Sequence, residues 1–160
     1  MDQGYFDHLP TALGRLMGNL WSLEWMLRNV LYLVATPPHS TMPNPRPLFA
    51  ANTGDRFPLN ALTSYDSLGQ LIDAYNKITD KQIDRSLITL RDTLAHGRVL
   101  CQDESWVNLV LMKFGRPDGS NTVTIETRYD LTLDWMDEQI ERTAEALKLV
   151  TARYRDLGGS

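Results

Sequence analysis

Hydrophobic residues recur along this chain with two different periods. From Thr11 to Ala35, Leu13, Leu16, Leu20, Leu23, Leu27, Val30 and Val34 follow one another at alternating intervals of three and four, the spacing that lays one apolar seam along a helix. Beside the seam runs a second row, Met17, Glu24 and Leu31, each seven residues apart. One carboxylate there sits between two apolar neighbours. A carboxylate at the edge of a core is stabilised by a partner, so Glu24 is either a partly exposed helix glutamate or half of an ion pair with an arginine from another helix.

The helical period returns over Ser67 to Thr79, where Leu68, Leu71, Ile72, Tyr75 and Ile78 form a short amphipathic face. Asp80 is the expected N-cap of the next helix, running to about Ala95 with Ile83, Leu87, Leu90 and Leu94 as its core stripe. After Gly97 the pattern changes. Trp106 to Phe114 and Thr122 to Tyr129 are rich in β-branched and aromatic residues, and GRPDGSN between them supplies turn chemistry, which predicts a β-hairpin over about 105–130. From Asp134, Trp135, Ile140, Ala144, Leu147, Val150 and Tyr154 mark a last helix.

Between Pro37 and Pro58 lie most of the prolines, so a long loop over about 36–64 is expected, and loops of that length serve as lids or binding segments. His39 there reads as a solvated histidine. The expected fold is a single all-α dominated domain over 1–160, a helical bundle carrying the hairpin between its last two helices, because two strands alone are not stable.

Composition narrows the function classes. A chain of 160 residues can bury a core without staples, and 42% hydrophobic with 22% charged residues is ordinary for a soluble domain. Arg15, Asn19, Glu24 and Arg28 interrupt the most apolar stretch, Leu13 to Val34, at every depth, so no membrane span is expected. The N-terminus has no signal-like core, which makes the cytoplasm the expected location. Cys101 is the one cysteine; it reads as a small hydrophobe, and no metal or other cofactor is expected. A net charge of −4 argues against a broad basic surface for duplex nucleic acid. From Lys77 to Arg98, however, basic residues exceed acidic ones by two.

That basic segment contains RDTLAHGR, residues 91–98. With about 100° per residue and Ile83 at zero, the core stripe centres near 10°, Arg91 lies near 80° and His96 near 220°. They flank a strip carrying Ile88, Asp92 and the small Ala95 that faces away from the stripe. Such a strip suits a second copy of the same helix, which would bring Arg91 of one chain toward His96 of the other. The chemistry suits RNA: a histidine can take the proton of an attacking 2′-hydroxyl or protonate the leaving oxygen, while an arginine fork holds the charge building on the phosphate. Asp92 would accept hydrogen bonds and orient either one. The structural alternative is a helix end, with His96 at the favourable pole of the dipole and Gly97 as a left-handed cap. Trp21 and Trp25, off the leucine seam, either face a protein partner or pack under the hairpin.

The run Arg91-Asp92-Thr93-Leu94-Ala95-His96 resembles the signature of the HEPN superfamily: an arginine, a polar residue, three further residues and a histidine near the end of a bundle helix. Leu90, Leu94 and Gly97 fit the same pattern. The resemblance implies an all-α bundle that dimerises through the motif helix, here 80–96, and a metal-independent endoribonuclease with Arg91 and His96 catalytic. Asp92, Glu24 and Arg98 would support them. It further implies single-stranded or loop RNA as substrate, a role in toxin–antitoxin or defence systems, and an antitoxin or regulatory protein as partner. A non-catalytic HEPN-like dimer that binds RNA, a nucleotide or a partner protein is the alternative. The tyrosine that one HEPN toxin group carries two residues after the histidine is Arg98 here, so its modification does not carry over.

Overall fold

The computed structural model describes residues 3–36, 46–101, 108–117, 119 and 121–159. It is helix-dominated, with a small three-stranded antiparallel sheet. The elements are α1 (Gln3–Ala35), α2 (Arg46–Phe49), α3 (Leu68–Lys77), α4 (Ser86–His96), β1 (Arg98–Cys101), β2 (Leu109–Phe114), β3 (Ile125–Asp130) and α5 (Leu133–Asp156). Two compact units emerge, one of Met1–Trp21 with Asp84–Ala146 and one of Ser22–Ile83 with Leu147–Ser160. Both α1 and α5 contribute residues to each.

The first unit centres on Leu16 and Leu20 of α1, Leu87 and Leu90 of α4, Val110 and Leu111 of β2, and Met136 of α5, all buried. Asn19, one of the polar residues that spoke against a membrane span, donates from Nδ2 to the Ile140 carbonyl at 3.2 Å and to Thr143 Oγ1 at 3.1 Å. It thereby ties α1 to α5. No described helix is long and apolar enough to cross a membrane. The sheet runs β1-β2-β3, so the predicted hairpin is real but incomplete. Its first strand, residues 98–101, pairs Arg98 with Met112 and Cys101 with Leu109, and the helical signal of the preceding segment hid it. Residues 105–107 of the predicted hairpin, Trp106 among them, lie outside the described residues, as do Asp118 and Ser120 of its turn.

The second unit buries Leu23, Leu27 and Val30 of α1 against Leu68, Leu71, Ile72 and Tyr75 of α3, with Val150 of α5 also in its core. The leucine seam is therefore right in its middle and wrong at its end, where Val34 is exposed. α1 also begins earlier than Thr11, running through Pro10, because a proline there removes one bond while Leu9 is drawn into the core. α3 starts with a capping box: Ser67 Oγ accepts from the Gln70 amide and the Gln70 side chain accepts from the Ser67 amide. The loop over 36–64 is interrupted by the single turn of α2, which brings Phe49 edge-on to Trp25 with ring centroids 5.9 Å apart. Trp25 therefore packs on this loop rather than under the hairpin, and Trp21 is 67% exposed. Residues 37–45, which include His39, lie outside the described residues.

Two further expectations fail for identifiable reasons. Asp80 caps no helix: α4 starts at Ser86. The Asn76 side chain accepts from the Ile83 amide at 2.8 Å and donates to the Ile83 carbonyl at 2.9 Å, which captures the backbone bonds a longer helix would need. Ile83 is buried all the same, as predicted. Ala144 is exposed, and the α5 stripe runs instead through Met136, Gln139, Ile140, Thr143 and Val150.

Glu24 does form an ion pair, but its partner is Arg28 one turn along α1, at 3.0 Å, rather than an arginine from another helix. Arg28 is only 11% exposed and donates as well to the carbonyls of Ala61, Ser64 and Asp66 at 3.3, 2.9 and 2.7 Å. One guanidinium thus fastens the end of the long loop to α1, and Glu24 holds it in register. Replacing Arg28 with Met strands those carbonyls and the Glu24 carboxylate; the expected cost is about 2–4 kcal/mol, measured by denaturant unfolding, with faster limited proteolysis between residues 51 and 66.

Candidate functional site

The motif residues lie on α4, and the sheet fixes that helix in place. Thr93, fully buried, bonds its hydroxyl to the Thr89 carbonyl at 2.8 Å and to the Thr127 hydroxyl of β3, also at 2.8 Å. Thr93, rather than Leu94, completes the buried face with Leu87 and Leu90; Leu94 is only half-buried. At the N-terminal end Asp84 accepts from the Ser86 amide at 2.8 Å and from the Ser86 hydroxyl, and pairs with Arg142 of α5 at 3.0 Å. The Ser86 hydrogen bonds, more than Arg142, hold the Asp84 carboxyl below its usual range.

Gly97 ends the helix, but not as a left-handed cap. Its φ of −74° and ψ of 167° are extended, and its amide donates to the Thr93 carbonyl at 2.7 Å as the chain enters β1. Glycine is needed for space. A Cβ there would lie 2.4 Å from the Thr93 carbonyl oxygen and 2.7 Å from Leu111 Cδ1, distances that real side chains do not tolerate.

On this anchored helix the His96 side chain is 63% exposed in the last turn, and its Nε2 lies 3.6 Å from Asp92 Oδ1. That separation is too long for a hydrogen bond. The other Asp92 oxygen, Oδ2, accepts from Lys113 Nζ of β2 at 2.5 Å, and Lys113 also reaches Glu126 Oε2 of β3 at 2.7 Å. Arg91 is half-buried, and its charge adds weakly to the pull on Asp92. The bond from Lys113 is the main reason the Asp92 carboxyl sits below its ordinary value; conversely, Asp92 and then Glu126 push the Lys113 ammonium up.

The predicted site residues therefore divide. Arg91, Asp92 and His96 share one helix end, with Asp92 Oδ1 3.6 Å from His96 Nε2, beyond the hydrogen bond expected of it. Arg98 stands at the start of β1, its guanidinium 5.5 Å from the centre of the Phe114 ring, a cation–π contact within the sheet. Glu24 belongs to the second unit, occupied with Arg28. Ile88 is half-buried and Ala95 exposed, while Lys113 pairs with Asp92 on the flank of the strip. Sequence reasoning missed Lys113 and Glu126; the available signal was a lone lysine in an otherwise apolar strand, LVLMKF. Among the described residues no cluster of His, Cys, Asp or Glu could hold a metal ion. Two clefts of the second unit, about 530 and 200 Å³, are lined by none of the motif residues.

Two outcomes follow from this geometry. Gly97→Ala forces the helix–strand junction apart, at an expected cost of about 1–3 kcal/mol, the range of overpacking, read as a lowered unfolding midpoint. Lys113→Met removes the ion bridge, with a pH dependence set by both partners. The depressed Asp92 contributes stability above the ordinary carboxylate pKa of about 3.9 and loses it as pH falls through its folded value. The raised Lys113 contributes below about 10.4 and loses it as pH rises through its own. The melting temperature of Lys113→Met should thus lie below that of the parent near neutrality and converge with it in acid and in strong alkali. No protein-family model, curated protein or solved structure matches the chain.

Proposed function

We propose that the protein is a metal-independent endoribonuclease of the HEPN kind, acting on single-stranded or loop RNA as a homodimer joined through the motif helix. The observation that carries the reading is the exposed His96 imidazole beside an ion-paired Asp92, five residues after Arg91, on a helix whose backbone is locked by Thr93 and Gly97. Catalysis benefits from groups held on a rigid support before substrate arrives.

In this mechanism a 2′-hydroxyl attacks the neighbouring phosphorus and its proton passes to a histidine. The 5′-oxygen leaves and takes up a proton from a second histidine, giving a 2′,3′-cyclic phosphate and a 5′-hydroxyl end. Two histidines and two arginines require two chains, with Arg91 of each holding the non-bridging oxygens. No metal or cofactor takes part. Single-stranded RNA suits a narrow interfacial cleft, since its nucleotides can be splayed. A toxin or defence role in the cytoplasm, held in check by an antitoxin or regulatory protein, follows from the same reading. A second reading, a non-catalytic dimeric module that binds RNA, a nucleotide or a protein, is favoured by Trp21: an indole 67% exposed on α1 is a good anchor for a protein contact.

The test is cleavage of a mixed RNA pool in EDTA. The parent protein should cut it and yield cyclic phosphate ends. Arg91→Ala and His96→Ala, shown to be folded and of the parent's oligomeric state, should each lose activity by about 100-fold or more. A parent that cuts nothing, or variants that cut as well as it does, would overturn the catalytic reading.

A further inference from the structure

We propose that Lys113 and Glu126, both contributed by the sheet, are positioning residues that govern the His96 proton through Asp92. The inference rests on the reading of His96 as a ribonuclease histidine and adds to it a control built from another part of the fold.

The geometry is that of a charge chain. Lys113 Nζ stands between Asp92 Oδ2 and Glu126 Oε2, and the far oxygen of Asp92 faces His96 Nε2 at 3.6 Å. Anchoring one oxygen of the carboxylate restrains the other on the side of the imidazole. Lys113 thus fixes the direction in which Asp92 acts, and it also neutralises part of the charge with which Asp92 acts. Glu126 moderates that second effect: by sharing the ammonium, it leaves Asp92 more negative toward His96 than a private Lys113–Asp92 pair would.

The position of Glu126 is specific to the sheet's register. Lys113 pairs with Thr127 and Phe114 with Ile125, so Glu126 is the extra residue at an irregularity in the β2–β3 ladder. A bulge of this kind re-aims a side chain. Gly115 leaves the room, because a Cβ there would approach Glu126 Oε1 to 3.1 Å. Arg91 acts on Asp92 along α4, Arg128 of β3 pairs with Asp130 at 2.8 Å, and Arg98 lies over Phe114.

The chain predicts shifts of opposite sign, which a merely structural role would not produce. The protonation of the His96 ring can be followed by NMR on the full-length protein without RNA, its signal identified by its loss in His96→Ala. Lys113→Met removes the cation and should raise the midpoint by about 0.2–0.7 unit, the size expected of a partly exposed charge pair. Glu126→Gln frees the cation for Asp92 and should lower it by a similar amount. Lys113→Arg keeps the charge and should leave the midpoint close to that of the parent. In an Asp92→Asn background the effect of Lys113→Met should fall to less than half.

Shifts of the same sign, no shift in either variant, or an undiminished Lys113→Met shift without Asp92 would overturn the proposal. Should Lys113→Met not fold, Glu126→Gln and Asp92→Asn decide it alone: Glu126→Gln must lower the midpoint, and must do so less when Asp92 is gone. Since the titration needs no RNA, it can fail while cleavage is found, or succeed while cleavage is not.

Discussion

Everything at the motif end of the chain depends on how closely the backbone approaches itself at Gly97. A helix that ends in a left-handed cap releases the chain into a loop, and its last turn can fray. Here the chain passes from α4 to β1 through one extended residue, with the Thr93 carbonyl and Leu111 both closer than any Cβ would allow. The last turn of α4 is thereby pinned to the sheet. Thr93 and Thr127 add a buried hydroxyl bond one turn earlier, so the segment that carries Arg91, Asp92 and His96 is constrained where terminal helical turns are ordinarily loosest.

The sheet is therefore more than an appendage to a bundle. The alternation that predicts β2 and β3 could be read from residues 106–129, but what those strands support could not. β1 follows the helix with no turn residue other than Gly97, and four residues, RVLC, are too few for a period-two pattern to declare itself. The same limit governs the start of α4. Asp80 is a good capping residue by type, yet capping requires the following backbone to be free, and Asn76 has already bound both polar groups of Ile83. Periodicity reports which residues prefer a core, which is why Leu16 through Val30 and Leu68 through Tyr75 are placed correctly. It cannot report a side chain that reaches seven residues along and takes the backbone bonds for itself.

Charge follows the same limit. Glu24 and Asp92 both invite the inference that a carboxylate on a helix edge has a partner, and both have one. The partner's element is what sequence leaves open. Glu24 uses an arginine of its own helix, because residues four apart lie on one face; Asp92 uses both His96 on its helix and Lys113 across to β2. The consequences differ. The first pair holds a loop, since Arg28 spends its remaining donors on backbone carbonyls. The second leaves one carboxylate oxygen aimed at a solvent-facing imidazole.

This last difference bears on what the strip between Arg91 and His96 can accept. Read on a helical wheel, it is a shallow apolar face that only another helix would complete. Lys113 arrives from β2 and pairs with Asp92, so the strip is divided into a polar part where the sheet reaches the helix and an apolar remainder of Ile88, half-buried, and Ala95, exposed. The His96 imidazole, 63% exposed, stays open to solvent at the end of that strip. Helical periodicity cannot show the division, because it carries no trace of a lysine that comes from another element.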